Sequence, residues 1–190
     1  MFLKILMRRS LLIKIGVDVN QFSGRHGASN RAKHSQMVRE GAELIPLRIP
    51  FGDYILITDA IQTMINERGA AHLHKKDLLD AITLSIDTKK NLQEVCGNIC
   101  SRQHVRFKEE LIKAKGRLIL LIEEPGIETL EDVWWWENPR LKKNPKATKG
   151  TALYKSLCTI RDEYAVDIRF CNRKVTGKEI IRILEGKING

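Results

Sequence analysis

"LSIDTKKNLQEVCGNICSRQHVRFKEEL", residues 84–111, decides the reading of this chain. It opens as an alternating run and passes into an amphipathic one, with Asp87 and Lys89 where the period changes. In a strand, residues two apart share a face. Ser85, Asp87 and Lys89 therefore project one way, and Leu84, Ile86 and Thr88 the other. A carboxylate and an ammonium leave the same face about 7 Å apart along the chain. The carboxylate can hold a divalent cation. The ammonium can steady an attacking water or offset charge that builds on a phosphate. The plainer alternative is a surface ion pair, and D-x-K alone does not separate the two. Beyond the strand, residues 91–115 carry the pattern of one long helix or a helix pair, with Leu92, Val95, Ile99, Phe107 and Leu111 as apolar contacts.

Working outward, strands and helices interleave. "LLIKIGVDV" is a short apolar strand ending at Asp18, followed by the basic loop "QFSGRHGASNRAKH". A helix is expected from about Ser29 or Asn30 to Gly41. "ELIPLRIP" reads as an irregular or edge strand, because Pro46 and Pro50 cannot donate to a ladder. "FGDYILIT" is a turn and a third strand, in which Gly52 exposes Asp53 at the mouth of the turn; an Asx turn is the ordinary structural reading of that aspartate. Residues 59–82 read as helical with a break near Gly69. "RLILLIEE" is apolar without alternation, as strands covered on both faces are. The expected fold is α/β, a mixed central sheet flanked by helices. A core over about 11–124 is followed by an α/β extension over 125–190, all within one domain.

Composition narrows the partners. The 190 residues hold 33 Lys and Arg against 23 Asp and Glu, a net charge of +10. That excess favours nucleic acid first and an anionic membrane second. Arg8 and Arg9 interrupt the N-terminal apolar residues, so "MFLKILMRRSLLIKIGVDV" does not read as a signal peptide. No apolar run reaches spanning length. Cys96, Cys100, Cys158 and Cys171 form no C-x-x-C pair and read as reduced thiols of a cytoplasmic protein. His72 and His74 lack cysteine ligands that would make a zinc site. The basic loop lacks the G-x-x-x-x-G-K-[ST] order of a nucleoside-triphosphate site. Carboxylates at strand ends can converge on one site, and Asp18, Asp53 and Asp87 are such carboxylates. Mg²⁺ takes one or two carboxylates, waters and phosphate oxygens, which suits metal-assisted phosphodiester hydrolysis.

The order "VDV", "GDY", "IDTKK", a helix with "RF" and "E", then "LILLIEE" resembles the XPF/Mus-type nuclease domain of the PD-(D/E)XK, or restriction-endonuclease-like, superfamily. The stretch from Ser85 looks like the small stand-alone versions found in bacteria and their phages. The resemblance spans about residues 13–124. It implies DNA cleavage dependent on Mg²⁺ or Mn²⁺, with Asp18, Asp53 and Asp87 toward metal and Asp53, Asp87 and Lys89 in catalysis. This sequence departs from the family pattern at Asn20 and Gln21, where Arg and Glu are expected. It departs again at Thr88, where the pattern has Arg, and at Asp87, where it has the longer Glu. The acid expected shortly afterwards falls on Gln93, beside Glu94. No helix-hairpin-helix module follows the core, which leaves the DNA structure recognised (branched or flap) and homodimer formation open. A non-catalytic DNA-binding protein on the same fold is the alternative those departures support.

Two basic segments complete the reading. "SRQHVRF" brings Arg102, Gln103, His104 and Arg106 together, as phosphate contacts or as a solvated helix face. "EDVWWWENPRLKKNPKATKG" sets three tryptophans beside Arg140, Lys142, Lys143, Lys146 and Lys149. Three successive residues cannot share one helix face. The tryptophans serve either to dock the C-terminal segment or, where one is exposed, to stack on bases beside cations.

Overall fold

The computed structural model describes residues 13–101 and 103–186, without the side chains of residues 24–26 and 29. The chain folds around one six-stranded mixed sheet of order β2-β1-β3-β4-β5-β6. The strands are β1 (Lys14–Asp18), β2 (Glu43–Leu47), β3 (Tyr54–Leu56), β4 (Ser85–Lys89), β5 (Leu118–Ile122) and β6 (Asp167–Phe170). β1 and β2 are parallel, as are β4, β5 and β6; β3 runs antiparallel to β1 and β4 and joins the two sets. The helices are α1 (Gly24–Arg39), α2 (Asp59–Arg68), α3 (Lys75–Leu78), α4 (Leu92–Cys100), α5 (His104–Ala114), α6 (Gly150–Tyr164) and α7 (Thr176–Glu185).

Each element has a local cause. β2 is the edge strand, where Pro46, paired with Val17, is tolerated. β5 is buried at all five positions because helices cover both its faces. Thr58 caps α2 by accepting from the Ile61 amide, and Gly69 at φ 79° ends it. Asn91 caps α4 by accepting from the Glu94 amide at 2.8 Å. Lys115 and Gly116, both at positive φ, turn the chain out of α5 into β5.

The sheet separates two apolar layers. On one face Ile55, Leu118, Leu120 and Ile122 pack with Ile61 of α2, Leu78 of α3, Val95 of α4, Phe107 and Leu111 of α5, and Leu153 and Leu157 of α6. On the other face Ile15, Val17, Ile86, Ile119 and Leu121 pack with Met37 of α1 and Ile180 and Leu184 of α7. Burying each such Leu or Ile contributes roughly 1.5–3 kcal/mol.

One expectation is altered. α1 starts at Gly24, earlier than the Gly- and Ser-containing segment implied. Gly27 makes the early start feasible: a Cβ there would overlap the Phe22 carbonyl, whose approach the bare glycine permits. The α/β extension over residues 125–186 supplies β6, the sixth strand, and α6 and α7, which cover opposite faces. The opening of the "LLIKIGVDV" strand and everything before it lie outside the described residues. No described helix is long and apolar enough to cross a membrane.

Candidate active site

Three strand-end aspartates converge because the backbone of Asp53 ties two strands together. Its amide donates to the Ile86 carbonyl of β4 at 2.8 Å, and its carbonyl accepts from the Asp18 amide of β1 at 2.9 Å. Gly52 makes this possible. It sits at φ 72°, and a side chain there would run into Ser85. The result is a cleft of about 480 Å³ at the carboxyl ends of β1 and β4, bordered by Asp18, Asp53, Asp87 and Lys89. Open α/β sheets bind ligands at this end. A larger groove, about 870 Å³, runs along α1 past Phe22 and Val38 but has no carboxylate in its lining.

Strand alternation puts Asp87 and Lys89 on the α4–α5 face, as read from the sequence. Both are buried, at 4% and 9% exposure. The Lys89 ammonium donates to Asp87 Oδ1 at 2.9 Å and lies 5.5 Å from the centre of the Phe107 ring. Asp87 Oδ2 is 2.7 Å from the same nitrogen, so both carboxylate oxygens face the ammonium. Burial alone would lower the Lys89 pKa. The carboxylates of Asp87 and Asp53 outweigh it and hold the pKa above its ordinary value. Lys89 is therefore a fixed positive charge near neutral pH and not a base.

Asp53 is held differently. Its Oδ1 accepts from Gln21 Nε2 at 2.6 Å, and its Oδ2 from the Thr88 amide at 2.9 Å and hydroxyl at 2.7 Å. Burial, and then the nearby Asp87 carboxylate, push its pKa up to about 7 against the opposing pull of Lys89 and of Thr88's hydrogen bonds. Asp18 borders the cleft with its oxygens engaged. Oδ1 accepts from the Asn20 backbone at 3.0 Å and side chain at 2.7 Å, and Oδ2 from the Ile49 amide at 3.2 Å. It thus caps the short 3-10 turn Val19–Gln21 and anchors the chain after β2.

The sequence did not reveal the support beneath Asp53. Lys33 of α1 forms a buried ion pair with Glu123, at 3.0 Å, and its ammonium also donates to the Thr88 hydroxyl oxygen at 3.2 Å. Asn30 donates to Gln21. These contacts cross from α1 to β4 and to the residue after β5, and no spacing in the chain announces them. The departures at Asn20, Gln21 and Thr88 are all used: each hydrogen-bonds one of the strand-end aspartates.

At the mouth of the cleft stand Gln103 and Arg106 of the expected phosphate contacts, together with Lys75, Lys90, Glu94 and Glu110. Burial and then Asp87 raise the Glu110 pKa. His104 faces another hollow, beside Ser156 and Thr159. Arg102 lies outside the described residues. Arg140, Lys142, Lys143, Lys146 and Lys149 are exposed or nearly so and stand outside the cleft lining.

Asp53 and Asp87 put two carboxylates on one cleft, the ligand type a hard divalent ion takes while completing its shell with water and phosphate oxygens. Among the described residues, no group of three or more His, Cys, Asp or Glu side chains is placed to hold a metal.

No protein-family model matches the chain, and no curated protein matches it by sequence. Its fold is similar to solved structures of XPF from Aeropyrum pernix, alone and in complex with DNA. The TM-score is 0.55 and the identity 14% in both cases. The match covers 92% and 93% of this chain but 65% and 66% of those chains, so this chain spans just under two thirds of their length. The α/β fold, a mixed sheet flanked by helices, is similar to that of the XPF structure.

Proposed function

We propose that the protein is a metal-dependent endonuclease that hydrolyses DNA phosphodiester bonds at the cleft between β1 and β4. One observation carries this reading: Asp53, and Asp87 with Lys89 more than thirty residues later, open into one cleft at the carboxyl ends of β1 and β4. Asp53 and Asp87 would hold Mg²⁺ or Mn²⁺, which would activate water and stabilise the charge of the transition state. Lys89, kept protonated by two carboxylates, offsets negative charge on the phosphate. Gln21 and Thr88 fix the rotamer of Asp53, so the carboxylate is in place before substrate arrives. Asp18 holds the backbone on which Asp53 depends. Arg106, Gln103, Lys75 and Lys90 border the same cleft and supply donors for flanking phosphates. DNA as substrate accords with the net charge of +10 and with the DNA-bound XPF structure among the neighbours.

The second reading is a DNA-binding protein without catalysis. It draws on the closed Asp87–Lys89 ion pair, which satisfies both charges with no third party. Incubating purified protein with labelled single-stranded, duplex, flap and junction DNA separates the two. Cleavage with Mg²⁺ or Mn²⁺ that EDTA abolishes is expected. Retention of DNA without any cut would favour the second reading.

A further inference from the structure

Residues 134–149 have no part in the cleft, yet they carry the most exposed large apolar side chain described in this chain. Trp135 is 81% exposed. Its neighbours are less so, Trp134 at 38% and Trp136 half-buried. Trp136 packs against the main core and donates from its indole nitrogen to Glu124 Oε1 at 3.3 Å. Trp134 meets Tyr154 edge-on, with centroids 5.6 Å apart, and Val133 is fully buried. The carbonyls of Val133, Trp134 and Trp136 close on Gly150 at the start of α6, where no side chain would fit. The backbone at Trp135 is therefore held from both sides while its ring projects into solvent. An indole presented this way leaves most of its apolar surface unburied.

The surroundings are cationic. Between Trp134 and Lys149 there are five Lys or Arg and one carboxylate, Glu137. Among the described residues, Arg140, Lys142, Lys143, Lys146 and Lys149 form no ion pair. The loop that bears them is pinned at both ends by buried Asn138, which donates to the Thr148 carbonyl at 2.8 Å and accepts from the Arg140 amide at 3.0 Å. The whole ledge adjoins the cleft end of the sheet. Glu124, which holds Trp136, also accepts from the Leu92 amide at 2.7 Å, three residues after Lys89.

We infer that Trp135 is a stacking platform for an unpaired base of single-stranded DNA, whose backbone phosphates the five cations hold. Bases inside a duplex hide their faces in the stack, so a fixed, projecting ring has an unpaired base as its partner. Five unpaired cations, which outnumber the nearby carboxylates Glu131, Asp132 and Glu137, fit a polyanion better than a protein surface. The binding site stands on the ledge alone.

The test uses the full chain in EDTA, with oligo(dT) and a duplex of equal length as probes. Wild type, Trp135→Ala and Trp135→Phe are compared by anisotropy and by intrinsic tryptophan fluorescence, after thermal melts confirm that each is folded. Trp135→Ala is expected to weaken oligo(dT) binding by roughly 10-fold or more, the scale of one base–aromatic stack, and duplex binding by less than about twofold. Trp135→Phe should restore most of the affinity while removing the fluorescence quench that oligo(dT) causes in wild type. Equal losses on both probes, or no loss on oligo(dT), overturn the proposal and leave Trp135 as a contact for another protein. Because EDTA prevents cutting, failure here leaves the nuclease reading standing. A protein that cuts nothing but shows this preference keeps the stacking site.

Discussion

The cleft and the tryptophan–lysine ledge lie at the same end of the sheet and are built on opposite principles. In the cleft the charged groups are buried or half-buried and each is held: Lys89 by Asp87, Asp53 by Gln21 and Thr88, Lys33 of α1 by Glu123. On the ledge the cations are exposed and make no ion pair among the described residues, and only the backbone that carries them is fixed. Buried, paired charge acts at short range with little reorganisation, which suits bond making and breaking. Exposed, unpaired charge acts through counterion release, which suits holding a polyanion. Changes in the cleft should therefore move stability and rate, and changes on the ledge should move affinity and its salt dependence.

The largest expected effect is on stability. Lys33→Met leaves Glu123 buried with only Arg173, 3.7 Å away, as a charge partner. The cost should be about 3–5 kcal/mol, the range for removing one member of a buried pair, and visible as a lower denaturation midpoint. Adding Glu123→Gln should recover most of it. A single variant as stable as wild type would mean that the pair is solvated and the cleft is not preorganised from α1.

Next comes Lys89→Met, which keeps the stem and removes the ammonium. Cleavage should fall at least ~10²-fold, with DNA affinity changed little, and Mn²⁺ should not rescue it. A matching loss of affinity would blur the division between cleft and ledge. Neutralising Lys142, Lys143 and Lys146 together should do the reverse. The slope of log affinity against log salt should shrink by ~2, equivalent to a roughly 45-fold loss near 0.15 M salt, with an unchanged melting temperature. An unchanged slope would make the ledge a plain solvated connection.

The smallest effect concerns pH. The Asp53 pKa is raised to about 7 in the fold, above its ordinary carboxylate value. A raised pKa stabilises below the unfolded value, and that stabilisation is lost as pH climbs through the folded one. Metal-free protein should accordingly become less stable between about pH 4 and pH 7. Asp53→Asn should flatten that decline and be more stable at pH 8 by about 1 kcal/mol. The linkage gain is partly offset because an amide nitrogen cannot accept the bond that Gln21 or Thr88 donates. An equally steep decline in the variant would trace the pH dependence to another group.

The same contrast explains what could be read from the sequence. Periodicity is local, so β4, the α4–α5 pair, the edge character of β2 and the fully covered β5 were all legible. So was the shared face of Asp87 and Lys89. The arrival of Asp53 beside them needed the chain order, because alternation within one strand says nothing about its neighbours. Gln21, Thr88, Lys33 and Glu123 meet across gaps of up to 90 residues along the chain, through hydrogen bonds between elements, and no spacing rule reports such contacts. α1 began earlier than expected because its glycines read as loop, while Gly27 in fact admits a close backbone contact. For the tryptophans, the sequence showed that they diverge. Which one turned inward depended on Glu124 and Gly150, far from them in local pattern.

The most direct measurement of the central claim is single-turnover cleavage by wild type and Asp87→Asn, with protein saturating over labelled DNA and binding followed in the same samples by anisotropy. Asn keeps the size and one oxygen but removes the charge facing the cleft. The account predicts metal-dependent cutting by wild type, a loss of at least ~10²-fold in Asp87→Asn, and equal or slightly tighter DNA binding by the variant. Equal cutting rates for the two proteins, or a wild type that binds DNA and cuts nothing with Mg²⁺ or Mn²⁺, would contradict it.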